Sequence, residues 1–150
     1  MTKKEKNKKY YEAIGRRKRS IARVRLYLLT NDSEIEINGV KVKRGEIIVN
    51  SKPIKSIFQK DYEIDYIKTP LKLTNNEDRF AISVIVKGGG QTGQKEAIIL
   101  GLARALVLVD SSYKEILRKN SLLTRDPRKK ERRKVGMGGK ARREKQSPKR

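Results

Sequence analysis

The sequence predicts a two-layer α/β sandwich carrying a long basic C-terminal extension, and three observations predict it. Apolar residues alternate from Ala22 to Leu28, as in a strand that buries one face, and Phe80, Ile82, Val84 and Val86 share the face of a second strand. Gln94 to Val109 reads as a helix that from Ala97 on is apolar on nearly every side apart from Arg104, the pattern of a helix buried across a sheet. The charge is segregated. The 150-residue chain holds 39 basic and 17 acidic residues, a net +22; residues 1 to 25 carry eleven and two of them, and residues 125 to 150 carry thirteen and three. The middle is therefore close to balanced, like an ordinary small domain with one core. Strands followed by a closing helix make a sheet covered by helices the simplest architecture. The expected division is a disordered basic N-terminus at 1–9, an α/β domain at 10–123 and an extended basic tail at 124–150.

Taken in order, Tyr10 to Gly15 opens the fold and leads into the cluster Arg16, Arg17, Lys18 and Arg19. In the next strand Val24, Leu26 and Leu28 point one way, while Arg23, Arg25 and Tyr27 point to a wet, cationic face. Ile35 and Ile37, Asn38-Gly39, then Val40 and Val42 read as a hairpin with a type I′ turn, because Asn and Gly tolerate positive φ. Ser51 is expected to cap a short helix containing Pro53, Ile54, Ile57 and Phe58. A second helix is expected from Asp61 to Lys68, stopping before Pro70. After a polar loop at Asn75 to Asp78, Phe80, Ile82, Val84 and Val86 share one strand face. The glycine-rich segment Gly88 to Gln94 then leads into the apolar helix. Ser112 and Glu115 form a capping-box pattern for a last short helix through Lys119.

Several chemistries are excluded. The chain has no Cys and no His, which removes disulfides, thiol nucleophiles and imidazole acid-base or metal chemistry. The missing cysteines are compatible with a cytosolic setting. Residues 1 to 15 lack the apolar stretch of a signal peptide, and the longest apolar run, near Ala97 to Val109, is far short of the roughly 20 residues of a membrane span. Gly88, Gly90 and Gly93 match the GxGxxG spacing, but a short helix and a cationic tail follow where a dinucleotide fold needs another strand. Gln94 separates Gly93 from Lys95, which breaks a phosphate-binding P-loop pattern. Glu34 and Glu36 share a strand face with no nucleophile or metal cluster beside them. No enzyme, cofactor or metal is expected.

The cations point to a polyanion. Arg23 and Arg25 sit on one strand face, where their guanidinium groups reach neighbouring phosphates while Val24 and Leu26 hold the strand to the core. Tyr10, Tyr11 and Tyr27 suit either base stacking or packing. The glycines have two readings: a tight turn from strand to helix, or a loop whose backbone amides, with Gln94 and Lys95, accept a phosphate at the positive end of a helix. The tail from Thr124 has too little apolar surface to fold alone and needs partner contacts to offset its ordering entropy.

Three blocks, YYEAIGRRKRSIARV, VKGGGQTGQKEAI and LLTRDPRKKERRKVG, occur in the order and spacing of the bacterial-type small-subunit ribosomal protein S9 family, which the chain resembles from about residue 10 to its end. The resemblance implies a mixed four-stranded sheet with helices, similar to domain 2 of ribosomal protein S5, with a left-handed crossover. It implies a non-catalytic structural role in the head of the small ribosomal subunit, in the cytoplasm, bound to 16S ribosomal RNA and beside neighbouring head proteins. The rRNA-binding residues it implies are Arg16, Arg17, Lys18, Arg19, Arg23, Arg25, Gly88, Gly89, Gly90, Gln94, Lys95, Arg125, Arg128, Lys129, Lys130, Arg132, Arg133 and Lys134. The tail is expected to reach the anticodon stem-loop of P-site tRNA with Arg142, Arg143, Lys149 and Arg150. Residues 135 to 150 span roughly 50 Å when extended, enough to act far from the domain. The chain departs from the family pattern in the buried helix, where Ile99 and Leu100 replace Arg-His, and near its end, which lacks an aromatic residue. The competing reading is a freestanding RNA- or DNA-binding, chaperone-like protein with no fixed ribosomal site.

Overall fold

A computed structural model describes residues 9–29, 34–133 and 135–137. Its main sheet is built from β1 (Tyr10–Arg17), β2 (Ser20–Leu28), β5 (Ile47–Val49), β6 (Lys52–Pro53) and β7 (Phe80–Lys87), while β3 (Ile35–Ile37) and β4 (Val40–Val42) form a separate hairpin. The spatial order is β1-β2-β7-β5-β6. Only β5 and β7 run parallel, with Ile48 opposite Ser83, so the sheet is mixed as expected. It has five strands where four were expected. The fifth is the two-residue β6, which folds back on β5 through Asn50 and Ser51, both at positive φ. Ser51 therefore makes a turn and does not cap α1 (Ile54–Ile57), whose N-cap is Pro53.

Central strand β7 is buried on both faces, which explains its nearly continuous apolar sequence. On one face Ala22, Val24, Leu26, Ile82 and Val84 pack against Ile98, Leu102 and Leu106 of α3 (Gln91–Val109) and against Ile64, Ile67 and Leu71 of α2 (Asp61–Leu73). Each of these Val, Leu and Ile side chains contributes about 1.5–3 kcal/mol by leaving water. On the other face the β3–β4 hairpin covers Tyr27, Ile48 and Ala81 with Ile35, Ile37 and Val42. Tyr27 is thus 5% exposed and is core, not a base-stacking platform, while Leu28 is 47% exposed at the strand end. The hairpin turn has φ 51 at Asn38 and 79 at Gly39, as a type I′ turn requires.

Helix α2 runs through Pro70 and ends at Leu73. In the last turn Pro70 forfeits one backbone hydrogen bond, but it is buried there, and the Thr74 hydroxyl donates to its carbonyl oxygen at 2.9 Å. The helix stops where Asn75 turns left-handed, with the Asn76 amide donating to Leu71. Before α4 (Tyr113–Lys119) the expected capping box is not formed: Ser112 is helical, and its amide donates to Asp110 Oδ1 at 2.8 Å. That bond holds the Asp110 carboxyl below the usual range. Among the described residues no helix is long and apolar enough to cross a membrane.

Candidate nucleic-acid interface

Three segments distant in sequence meet at one end of the sheet. The β1–β2 turn supplies Lys18 and Arg19, the glycine loop supplies Gly89 to Gly93, and the start of the tail supplies Lys129, Lys130, Arg132 and Arg133; together with Ser20 and Glu131 they line an open groove of about 780 Å³. The loop is seated on the hairpin by close packing. Gly88 and Gly89 have φ 73 and 66, and a Cβ on Gly88 would lie 2.6 Å from the Arg19 carbonyl oxygen. A Cβ on Gly93 would lie 2.9 Å from Ser20 Oγ. Ser20 Oγ and Gln94 Nε2 both donate to the Gly88 carbonyl oxygen, at 3.1 and 3.2 Å. The tight-turn reading therefore accounts for Gly88, Gly89 and Gly93. It does not account for Gly90, which has an ordinary φ and where a Cβ would meet nothing within 4 Å.

The expected contact residues divide by whether they already hold an acid. Arg17 pairs with Glu96, and its Nη2 lies 3.0 Å from Asp126. Arg25 Nε donates to Glu12 at 2.6 Å, and its guanidinium stacks 4.6 Å from the Tyr10 ring. Burial opposes the Arg25 charge, but the hydrogen bonds to Glu12 and Tyr27 and the nearby Glu12 and Tyr10 charges together outweigh it, so the pKa is raised. Burial likewise pushes the Tyr27 hydroxyl up, against the pull of Arg25. Lys95, expected beside the loop, turns to α2, where Nζ donates to Glu63 at 2.6 Å with both side chains about 15% exposed or less. Arg128 forks onto Asp126 at 2.7 to 3.1 Å. Arg16, Lys18, Arg19, Arg23, Arg125, Lys129, Lys130, Arg132 and Arg133 have no carboxylate partner among the described residues. Lys134, Arg142, Arg143, Lys149 and Arg150 lie outside the described residues.

The open sheet face continues the cationic surface. Strand register places Ile21 between Arg16 and Lys87, and Arg23 between Ile14 and Ile85, so cations and isoleucines alternate across three strands. Lys87 was missed because the apolar pattern ends at Val86. Gln91 and Thr92 were missed because α3 begins three residues before the start expected at Gln94, so both read as loop. A smaller cleft of about 150 Å³, lined by Arg17, Tyr66, Glu96, Ile99, Leu100, Leu122 and Asp126, is too small for a nucleotide. Ser121, Leu122, Thr124 and Asp126, which follow α4, line one side of it. Ile99 and Leu100 are buried there, 5% and 6% exposed.

No group of acidic side chains among the described residues is arranged to hold a metal ion. The arrangement is a folded domain with a continuous cationic surface, and its three contributing segments are the three sequence blocks singled out above. A family model described as ribosomal protein S9/S16 matches residues 15–150, so the chain belongs to that family and is a structural constituent of the ribosome.

Proposed function

We propose that the chain anchors to 16S ribosomal RNA in the head of the small subunit through the β1–β2 turn, the glycine loop and the tail root, and that the tail then runs toward P-site tRNA. One observation carries the reading: six cations from two ends of the chain line a single groove with only Glu131 opposing them. Such a groove fits a sugar-phosphate backbone, which folded RNA presents as shape more than as base edges. Neighbouring head proteins are the expected protein partners. The uncapped amides at the start of α3, beside the unobstructed Gly90, suit one phosphate within the groove.

The test uses the full chain. Replacing Lys18, Arg19, Arg132 and Arg133 with Ala is expected to abolish stoichiometric cosedimentation with small subunits and to flatten the salt dependence of binding to a head-region RNA fragment. Normal incorporation would overturn the anchoring role. A wild-type protein that bound RNA yet never assembled stoichiometrically would favour the freestanding chaperone-like reading. For the tail, removing Ser147 to Arg150 is expected to leave assembly intact and weaken P-site tRNA retention; unchanged retention would remove the tRNA role.

A further inference from the structure

We propose that Asp126 and Arg17 form a latch that builds the outer wall of the groove before RNA arrives, so that an acid in a cationic tail strengthens the binding of a polyanion. The inference rests on the RNA reading of the groove and adds how the groove is assembled. The Arg17 side chain is 12% exposed and is taken up by protein contacts. On one side it pairs with Glu96 of α3; on the other, Nη2 meets Asp126 at 3.0 Å, and Nη1 donates to the Arg128 carbonyl oxygen at 3.4 Å. Asp126 in turn accepts the Arg128 backbone amide at 2.9 Å and the Arg128 guanidinium at 2.7 Å.

Two cations and two carboxylates thus form a neutral knot where the tail leaves the domain. Immediately beyond it, Lys129, Lys130, Arg132 and Arg133 face Lys18 and Arg19 across the groove. These walls repel each other, and the tail root has almost no apolar surface to hold it down. The knot supplies the attraction that repulsion would otherwise defeat. A wall already in place spares the ordering cost at the moment of binding. Arg17 is a positioning residue on this account, and it does not meet phosphate.

The sign of one substitution separates the latch from simple electrostatics. Asp126→Asn raises the net charge by one, which on electrostatic grounds alone tightens RNA binding. The latch predicts the opposite, about fivefold weaker binding of a head-region RNA fragment at matched salt. Nitrogen relaxation in the free protein should show residues 124–133 turning mobile in the variant. Arg17→Lys, which keeps the charge and loses the fork, should behave alike. Unchanged thermal unfolding of both variants would show that the domain is intact. Equal or tighter RNA binding by Asp126→Asn, or a tail root as rigid as in the wild type, would overturn the proposal. Release of the tail root with no RNA binding by either protein would overturn the RNA reading alone and leave the latch standing.

Discussion

Gly101 of α3 crosses Gly15 of β1 at backbone contact: a Cβ on Gly15 would lie 2.5 Å from the Gly101 nitrogen, and one on Gly101 would lie 3.3 Å from the Gly15 nitrogen. Neither glycine has a positive φ, so closeness alone requires them. The crossing holds the buried helix down on the edge of the sheet that leads into the cationic turn. Gly15→Ala is therefore expected to cost at least about 3 kcal/mol, the upper end for overpacking, because the obstacle is backbone and cannot rotate away. Gly101→Ala meets Val24 Cγ2 at 2.6 Å, a side chain with some room to adjust, and should cost less. Urea unfolding of the two variants checks the order.

Gly90→Ala separates the two readings of the glycine loop. With nothing within 4 Å, the methyl should change stability by no more than about 0.5 kcal/mol. If loop amides accept a phosphate, the same methyl should weaken RNA binding several-fold. Unaltered affinity would leave the loop a turn only.

Asn50 continues the β5 ladder with its side chain. Its Nδ2 donates to the Val86 carbonyl at 3.1 Å, and its Oδ1 accepts the Val86 amide at 2.9 Å, pinning the β5–β6 turn to the central strand. Asn50→Ala should cost about 2 kcal/mol, since the buried Val86 loses partners for both backbone groups. Next to it, Ser51 is strained at φ 63, and Ser51→Gly should stabilise the fold by about 1 kcal/mol. Opposite shifts in thermal midpoint would check both.

The Asp126 carboxyl should titrate far below an ordinary aspartate. The Arg128 side-chain and backbone hydrogen bonds, with Arg17 nearby, hold it at about 2 against 3.8 for the free group. A depressed carboxylate stabilises its contacts fully above the free value, and that contribution is lost as pH falls through the depressed one. The Asp126 contacts, above all those with Arg128, should therefore persist at pH 4 and be lost around pH 2. Carboxyl chemical shifts followed through this range check it; a midpoint near 3.8 would mean that the contacts do not form.

Much of the fold was legible because it depends on local pattern. Asn38-Gly39 announces its turn, the apolar residues of Phe80–Lys87 announce a core strand, and the apolar run announces α3. Strand β5 was not legible, since three apolar residues from Ile47 to Val49 carry no period, and only pairing with β7 makes them a strand. Pro70 misled because its cost in a last turn is one hydrogen bond, which burial offsets. At the site, sequence located the cations but not their partners. Arg17 meets Glu96 and Arg128, 79 and 111 positions away, and periodicity assigns a face without saying what lies opposite it.

Lys95 is the sharpest instance, and its behaviour on substitution differs between the two roles. As a phosphate donor its loss would lower the salt dependence of RNA binding by about one contact, a change of about 0.7 to 0.9 in the slope of log K against log salt. As a partner of Glu63 its loss leaves a carboxylate only 13% exposed without its cation. That should cost about 2 kcal/mol, below the figure for fully buried pairs because some water reaches both groups. Lys95→Met is thus expected to lower stability and leave the salt slope unchanged. Adding Glu63→Leu should recover most of the stability, because the orphaned charge is then gone. A shallower slope with unchanged unfolding would return Lys95 to the RNA surface.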